Sequence, residues 1–212
     1  MKPHDHIYYA TTVADIWSQV PAKEIEECLS ILQYARLADR QIFVFGNGGS
    51  SSTASHFMCD LVKNTVHPNS NLRRFRVQAI ADNSASFSAY ANDSGYDFVF
   101  ANQISALARP GDVVLGISTS GRSANVLQAV RAARNIPAIT IGWTSENGDE
   151  LTSLVDTSVV VPCQQIEMIE DIHMMLAHYI TIKLRDSMGS GSTTYSYSPA
   201  LTKFHDHLKE YT

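Results

Sequence analysis

The sequence predicts an α/β fold, a doubly wound sheet of five parallel strands flanked by helices. Three observations carry that prediction. Five short apolar runs are rich in β-branched residues and lack the strict alternation of a half-exposed strand. Stretches with helical periodicity separate most of them, and alternation of the two periods is the mark of a parallel sheet. The first and third runs each lead directly into a Ser- and Gly-rich loop.

Residues 22–40 read as a helix starting just after Pro21, with Ile25, Cys28, Leu29, Leu32 and Ala35 on one apolar stripe. The first strand is QIFVFG, Gln41 to Gly46, and a helix over 51–63 follows its loop. FRVQAIA, from Phe75, is the second strand, with helices over 85–91 and 97–108 after it. ARPGD turns the chain into the third strand, VVLGIS from Val113. A helix over 123–134 stops at the Pro137 turn, AITIGW from Ala138 is the fourth strand, and ENGDE at 146–150 reads as a loop. SVVV from Ser158 is the fifth strand, and a long helix over 167–185 closes the series. The expected organisation is an N-terminal helical segment at 1–40, a core domain at 41–187 and a Ser-, Gly- and Tyr-rich linker and tail at 188–212.

Of 212 residues, 44% are hydrophobic and 17% charged, which fits one packed domain and excludes a disordered or fibrous chain. Sixteen Lys and Arg against 21 Asp and Glu give a net charge of −5, so there is no basic field to hold nucleic acid. An anionic ligand must be caught locally. No apolar run reaches the roughly 18 residues of a membrane span, and the N-terminus has no signal-peptide pattern, so the expected location is the cytoplasm. Cys28, Cys59 and Cys163 form no metal or redox motif and read as free, buried thiols. The His-Asp-His triplets at 4–6 and 205–207 read as exposed polar residues.

If the sheet has the flavodoxin-like order 2-1-3-4-5, its switch point lies between the first and third strands, where ligands of such sheets bind. Those strands carry the loops GNGGSSSTASHF, 46–57, and STSGRSANV, 118–126. Their glycines let the backbone approach a ligand, Ser50, Ser118, Thr119, Ser120 and Ser123 offer hydroxyls, and helix N-termini add N–H groups, a set suited to phosphate. Ser51 stands where a dinucleotide fingerprint would have its third glycine, and no Gly-Lys-Ser or Gly-Lys-Thr occurs, so dinucleotide enzymes and P-loop NTPases are disfavoured.

His56 and Asp60, four apart, share one helix face. On the last helix Glu167, Glu170, Asp171, Met174 and His178 fall in one sector about 100° wide, with His173 pointing elsewhere. His56, Asp60, Glu170 and His178 thus form a group able to act as acid and base or to ligate a divalent metal such as zinc. A lone helical histidine more often serves packing, and acidic residues at a helix start often only complement its dipole.

GNGGSSSTASHF, ANDSGYDFVF and ISTSGRSANVLQAVRAA together resemble the sugar isomerase (SIS) domain family over roughly residues 22–186, with most similarity to the phosphoheptose isomerases. The resemblance implies conversion of sedoheptulose 7-phosphate to D-glycero-D-manno-heptose 7-phosphate or a close relative, in a homotetramer with sites at subunit interfaces. It implies substrate contacts at Asn47, Gly48, Gly49, His56, Asn92, Asp93, Ser118, Thr119, Ser120 and Ser123, with Asp60 and Glu170 beside them and the phosphate against Ser50 and the 118–123 loop. It implies zinc on His56, Asp60, Glu170 and His178, with Asp60 and His178 as general base and acid. The chain departs from the family pattern at Asp60 (usually Glu), Glu170 (Gln), Asn64 (Arg, with Lys63 nearby as a substitute cation), Arg122 (Asn) and Glu167 (Asp). A shortened carboxylate matters, because misplacement by about 1 Å can cost roughly a hundredfold in rate. The alternatives are a non-catalytic SIS regulator binding a phosphosugar or a replication-initiation protein, and a different phosphosugar reaction such as hexulose-phosphate isomerisation or an elimination. Retention of His178 favours the isomerase.

Overall fold

A computed structural model describes residues 5–66 and 72–189. Five strands, β1 (Gln41–Gly46), β2 (Arg76–Ala79), β3 (Val113–Ile117), β4 (Ile139–Ser145) and β5 (Thr157–Val161), form one sheet in the order β2-β1-β3-β4-β5. Every pairing is parallel, and Val44 of β1 registers with Ala79 on one side and Leu115 on the other. The sheet and its order are those the sequence predicts.

Among the described residues eight α-helices cover the two faces: α1 (His6–Gln19), α2 (Ala22–Leu37), α3 (Gly48–Cys59), α4 (Ser84–Ser94), α5 (Val99–Leu107), α6 (Ala124–Arg134), α7 (Asp149–Leu154) and α8 (Ile166–Gly189). Side chains of a strand alternate between faces. Ile42, Val44, Leu115, Ile141 and Trp143 therefore meet Leu29 and Leu32 of α2, Phe57 of α3 and Ile172 and Leu176 of α8. Phe43, Phe45 and Val114 point the other way, to Phe100 and Ile104 of α5 and Val126 and Val130 of α6. In β1, β3 and β4 both faces are buried, which is why those runs are largely apolar, whereas the edge strand β2 carries the exposed Arg76; each fully buried apolar side chain contributes about 2 kcal/mol.

Four local features differ from the sequence reading. Helix α1 is additional: Asp5 caps it, its carboxylate accepting from Ile7 N at 2.9 Å, and Val13 and Ile16 join the core. Helix α7 grows out of the expected ENGDE loop, with Asp149 and Glu150 in its first turn, where acidic groups complement the dipole. Helix α3 begins at Gly48 rather than Ser51, so Gly48, Gly49 and Ser50 are its first turn and not a loop. Its end widens into a π-helical turn, Asp60–Asn64. Cys28 is buried as expected, and burial pushes its thiol up to about 12. Cys59 is exposed instead, because α3 buries the face carrying Thr53, Ala54 and Phe57. The tail from 190 and the two histidines of the second His-Asp-His triplet lie outside the described residues; His6, of the first, is exposed.

Candidate active site

Strand β1 ends at Gly46 and Asn47 turns the chain into α3; β3 ends at Ile117 and residues 118–123 lead into α6. These strands are neighbours at the switch point, so the N-termini of α3 and α6 lie side by side at the carboxyl edge of the sheet. Close packing there demands glycine. A Cβ at Gly46 would lie 2.7 Å from Ile117 O, and Gly121, at φ +62°, has Gly148 Cα where its Cβ would go.

Neither helix start has a side-chain cap, leaving its first N–H groups free for an anion. Asn47 does not cap α3, because its amide is held elsewhere. It donates to Asn125 Oδ1 at 2.8 Å and accepts from Asn125 Nδ2 at 2.8 Å and from Tyr96 Oη at 2.9 Å. Ser118 and Ser123 hydroxyls bond each other at 3.2 Å, and Ser120 Oγ accepts from Arg122 N. Ser145 at the end of β4 donates to Thr119 O at 2.7 Å, fixing the loop from behind. A recess of about 400 Å³ opens beside this loop, walled by Thr119, Ser120, Arg122, Asn147 and Gln164. Ser50 and Ser118 are buried, whereas Thr119 and Ser123 are half-buried and Ser120 is exposed.

The second feature is a cluster of His56, Asp60 and His178, whose donor atoms all lie within 4.8 Å of one another. His56 and Asp60 come from α3 and its π turn, and α8 packs against α3 to bring His178 over both. The two Nε2 atoms are 2.9 Å apart, and Asp60 Oδ2 lies 3.4 Å from His56 and 3.9 Å from His178. Asp60 is only 7% exposed, while both imidazoles are about half exposed. Two imidazoles that close share a proton or a ligand. Donors 2.0–2.1 Å from a tetrahedral ion are separated by about 3.3 Å, so this group has the composition and spacing to hold a divalent metal with a position left open.

Glu170 is not in that cluster; its carboxylate lies against Gly49, filling the place a Cβ there would occupy. Asn92 and Asp93 are exposed at the end of α4 and bond each other at 2.8 Å. His173 is on the buried side of α8, its Nε2 3.4 Å from Thr144 O, and burial pushes its pKa down to about 4. Beside Glu170, Asp171 accepts from the Tyr9 phenol at 2.7 Å, and that hydrogen bond raises the phenol to about 12 and ties α1 to α8. Tyr96, Asn125 and Ser145, which order the loops, were not singled out by sequence. Tyr96 and Asn125 lie inside the segments that carry the family resemblance, but nothing in the sequence pairs either with Asn47.

The SIS domain family model matches residues 8–145, about two thirds of the sequence. The chain belongs to the SIS domain family. The SIS chain is 39% identical over 140 residues to a probable phosphoheptose isomerase of Thermoplasma acidophilum, covering 66% of this chain and 75% of the relative. To the phosphoheptose isomerase of Helicobacter hepaticus it is 31% identical over 179 residues, 84% and 89% of the two chains. Among solved structures, the phosphoheptose isomerase of Neisseria gonorrhoeae superposes with a TM-score of 0.78 at 27% identity, over 85% of this chain and 95% of that one. Helix α8, which supplies His178, lies beyond the residues the SIS model matches. No helix among the described residues is long and apolar enough to cross a membrane.

Proposed function

We propose that this SIS protein is an aldose–ketose isomerase of a sugar phosphate, sedoheptulose 7-phosphate or a close relative, giving the corresponding aldoheptose phosphate. The observation that carries the reading is the convergence of His56, Asp60 and His178 in a molecule that also presents two uncapped helix N-termini and the 118–123 serine loop at its switch point. The relatives named phosphoheptose isomerase supply the substrate.

The phosphate docks on the 118–123 loop and the helix N-termini, with Thr119, Ser120 and Ser123 donating hydroxyls and the N–H dipoles drawing the dianion. Isomerisation moves one proton between adjacent carbons through an enediol. Asp60 Oδ2 removes the proton from C1 of the ketose and returns it to C2, while His178 protonates the carbonyl oxygen at C2 and recovers a proton from the hydroxyl at C1. His56, Asp60 and His178 would hold a zinc ion, with Glu170 in reach only after moving from Gly49, and the ion would supply Lewis-acid polarisation of the carbonyl oxygen in place of the His178 proton. A homotetramer would cover the half-exposed histidines and the exposed Tyr96, Phe98 and Ile166. The residues before 41 and after 187 would flank a core SIS domain at 41–187, and the location we propose is the cytoplasm.

The deciding test follows purified protein with sedoheptulose 7-phosphate by NMR, with added zinc and after chelation. Zinc-dependent appearance of an aldoheptose phosphate supports the whole reading. Turnover that survives chelation keeps the isomerase and removes the metal. No turnover in either condition overturns the substrate.

A further inference from the structure

The Asp60 carboxylate has two oxygens, and the structure treats them differently. Oδ2 faces His56 and His178, at 3.4 and 3.9 Å. Oδ1 accepts from Asn64 Nδ2 at 2.6 Å, from the far end of the π-helical turn Asp60–Asn64. A carboxylate only accepts, so the Asn64 amide must present its NH2 group there. Asn64 is itself exposed, and among the described residues this is the one hydrogen bond its side chain makes.

We propose that Asn64 is a positioning residue for the isomerase site: it holds Oδ1 and thereby makes Asp60 a one-oxygen donor aimed at the two imidazoles. The inference rests on the proposed function for its catalytic meaning, though not for its geometry. An aspartate on a helix turns freely about χ2, and a carboxylate left free can present both oxygens, one oxygen or neither. A donor outside the ligand set that fixes a ligand's orientation commonly changes metal affinity or activity by 10- to 100-fold when removed. Single π turns recur at functional sites, and Asp60 and Asn64 are the first and last residues of this one.

The experiment compares wild type with Asn64→Ala. Because Asn64 is exposed, the variant should fold, with a melting temperature within a few degrees of wild type. Cobalt(II) is titrated into both proteins in the absence of substrate and followed by its visible bands, which are strong for four ligands and fade as coordination number rises. Asn64→Ala should bind cobalt about 10- to 100-fold more weakly with fainter bands, because the unheld carboxylate turns away and water takes its place. Equal affinity and equal bands overturn the proposal. If neither protein binds cobalt, the metal reading fails, and the crystal structure of Asn64→Ala decides the inference. An Asp60 carboxylate rotated away from His56 and His178 supports it, and one left in place overturns it.

Discussion

Helix α8 carries two histidines five residues apart, and the chain puts them to opposite uses. His173 is 1% exposed, and burial holds it neutral, down to about 4, with Nε2 turned to the Thr144 carbonyl. His178 is half exposed and meets another imidazole and a buried carboxylate. The same side chain is a fixing pin where it is surrounded by core, and a chemical group where it has an anionic neighbour and open space. His173 is mechanically joined to the serine loop. His173 bonds the carbonyl of Thr144, and the next residue, Ser145, bonds Thr119 of the serine loop. Histidine identity says nothing about role; environment decides it.

The contrast breaks most visibly in turnover. His178→Ala and Asp60→Asn should each lower kcat by about 10²- to 10⁴-fold with little change in melting temperature, read by the NMR assay and by circular dichroism. If kcat stays within twofold in both, the cluster is not the reacting centre. The matching change on the other side, His173→Gln, should spare kcat by comparison and act on stability, with a clear pH signature. The folded value of His173, about 4, lies below the unfolded value of about 6.5. Its contribution is therefore complete above about pH 6.5 and is lost as pH falls towards 4, by about 3 kcal/mol in all. Wild-type stability minus that of His173→Gln, from urea unfolding at several pH values, should fall through that window; a flat difference would show that His173 is not held neutral. Smaller still is Gly121→Ala, at φ +62° with Gly148 in the way, which should cost about 1–3 kcal/mol and raise KM for the sugar phosphate. Ser145→Ala should cost only about 1 kcal/mol, again in KM rather than kcat, since it removes one hydroxyl behind the loop.

The sheet was legible because its inner strands β1, β3 and β4 are buried on both faces, so Val44 or Leu115 could be recognised without knowing a partner. The serine loops were legible because strand-to-helix junctions need their glycines. The His56–Asp60 pair follows from helix spacing, and His178 from its sector on α8. The rest depends on contacts between distant segments. Asn47 with Asn125 and Tyr9 with Asp171 leave no local pattern, since neither partner constrains its own neighbours in sequence. The π turn is equally silent: it adds one residue to a turn without changing composition, and no periodicity count detects it. Glu170 shows the opposite limit. Its sector is right, yet its carboxylate stops at Gly49, a question of reach that angular position does not answer.

The reciprocal amide pair of Asn47 and Asn125 reaches beyond the two loops it joins. Two hydrogen bonds of 2.8 Å lash the starts of α3 and α6 together, and the Tyr96 phenol adds a third strut. On the proposed function a phosphate landing on these helix starts meets a braced footing, while His56 rides near the far end of α3 and Asp60 on the π turn that continues it. The distance from phosphate to reacting carbon is then set by the protein, as by a gauge block. On the isomerase reading, such a molecule sorts sugar phosphates by the number of carbons between their two ends, before any hydroxyl is inspected.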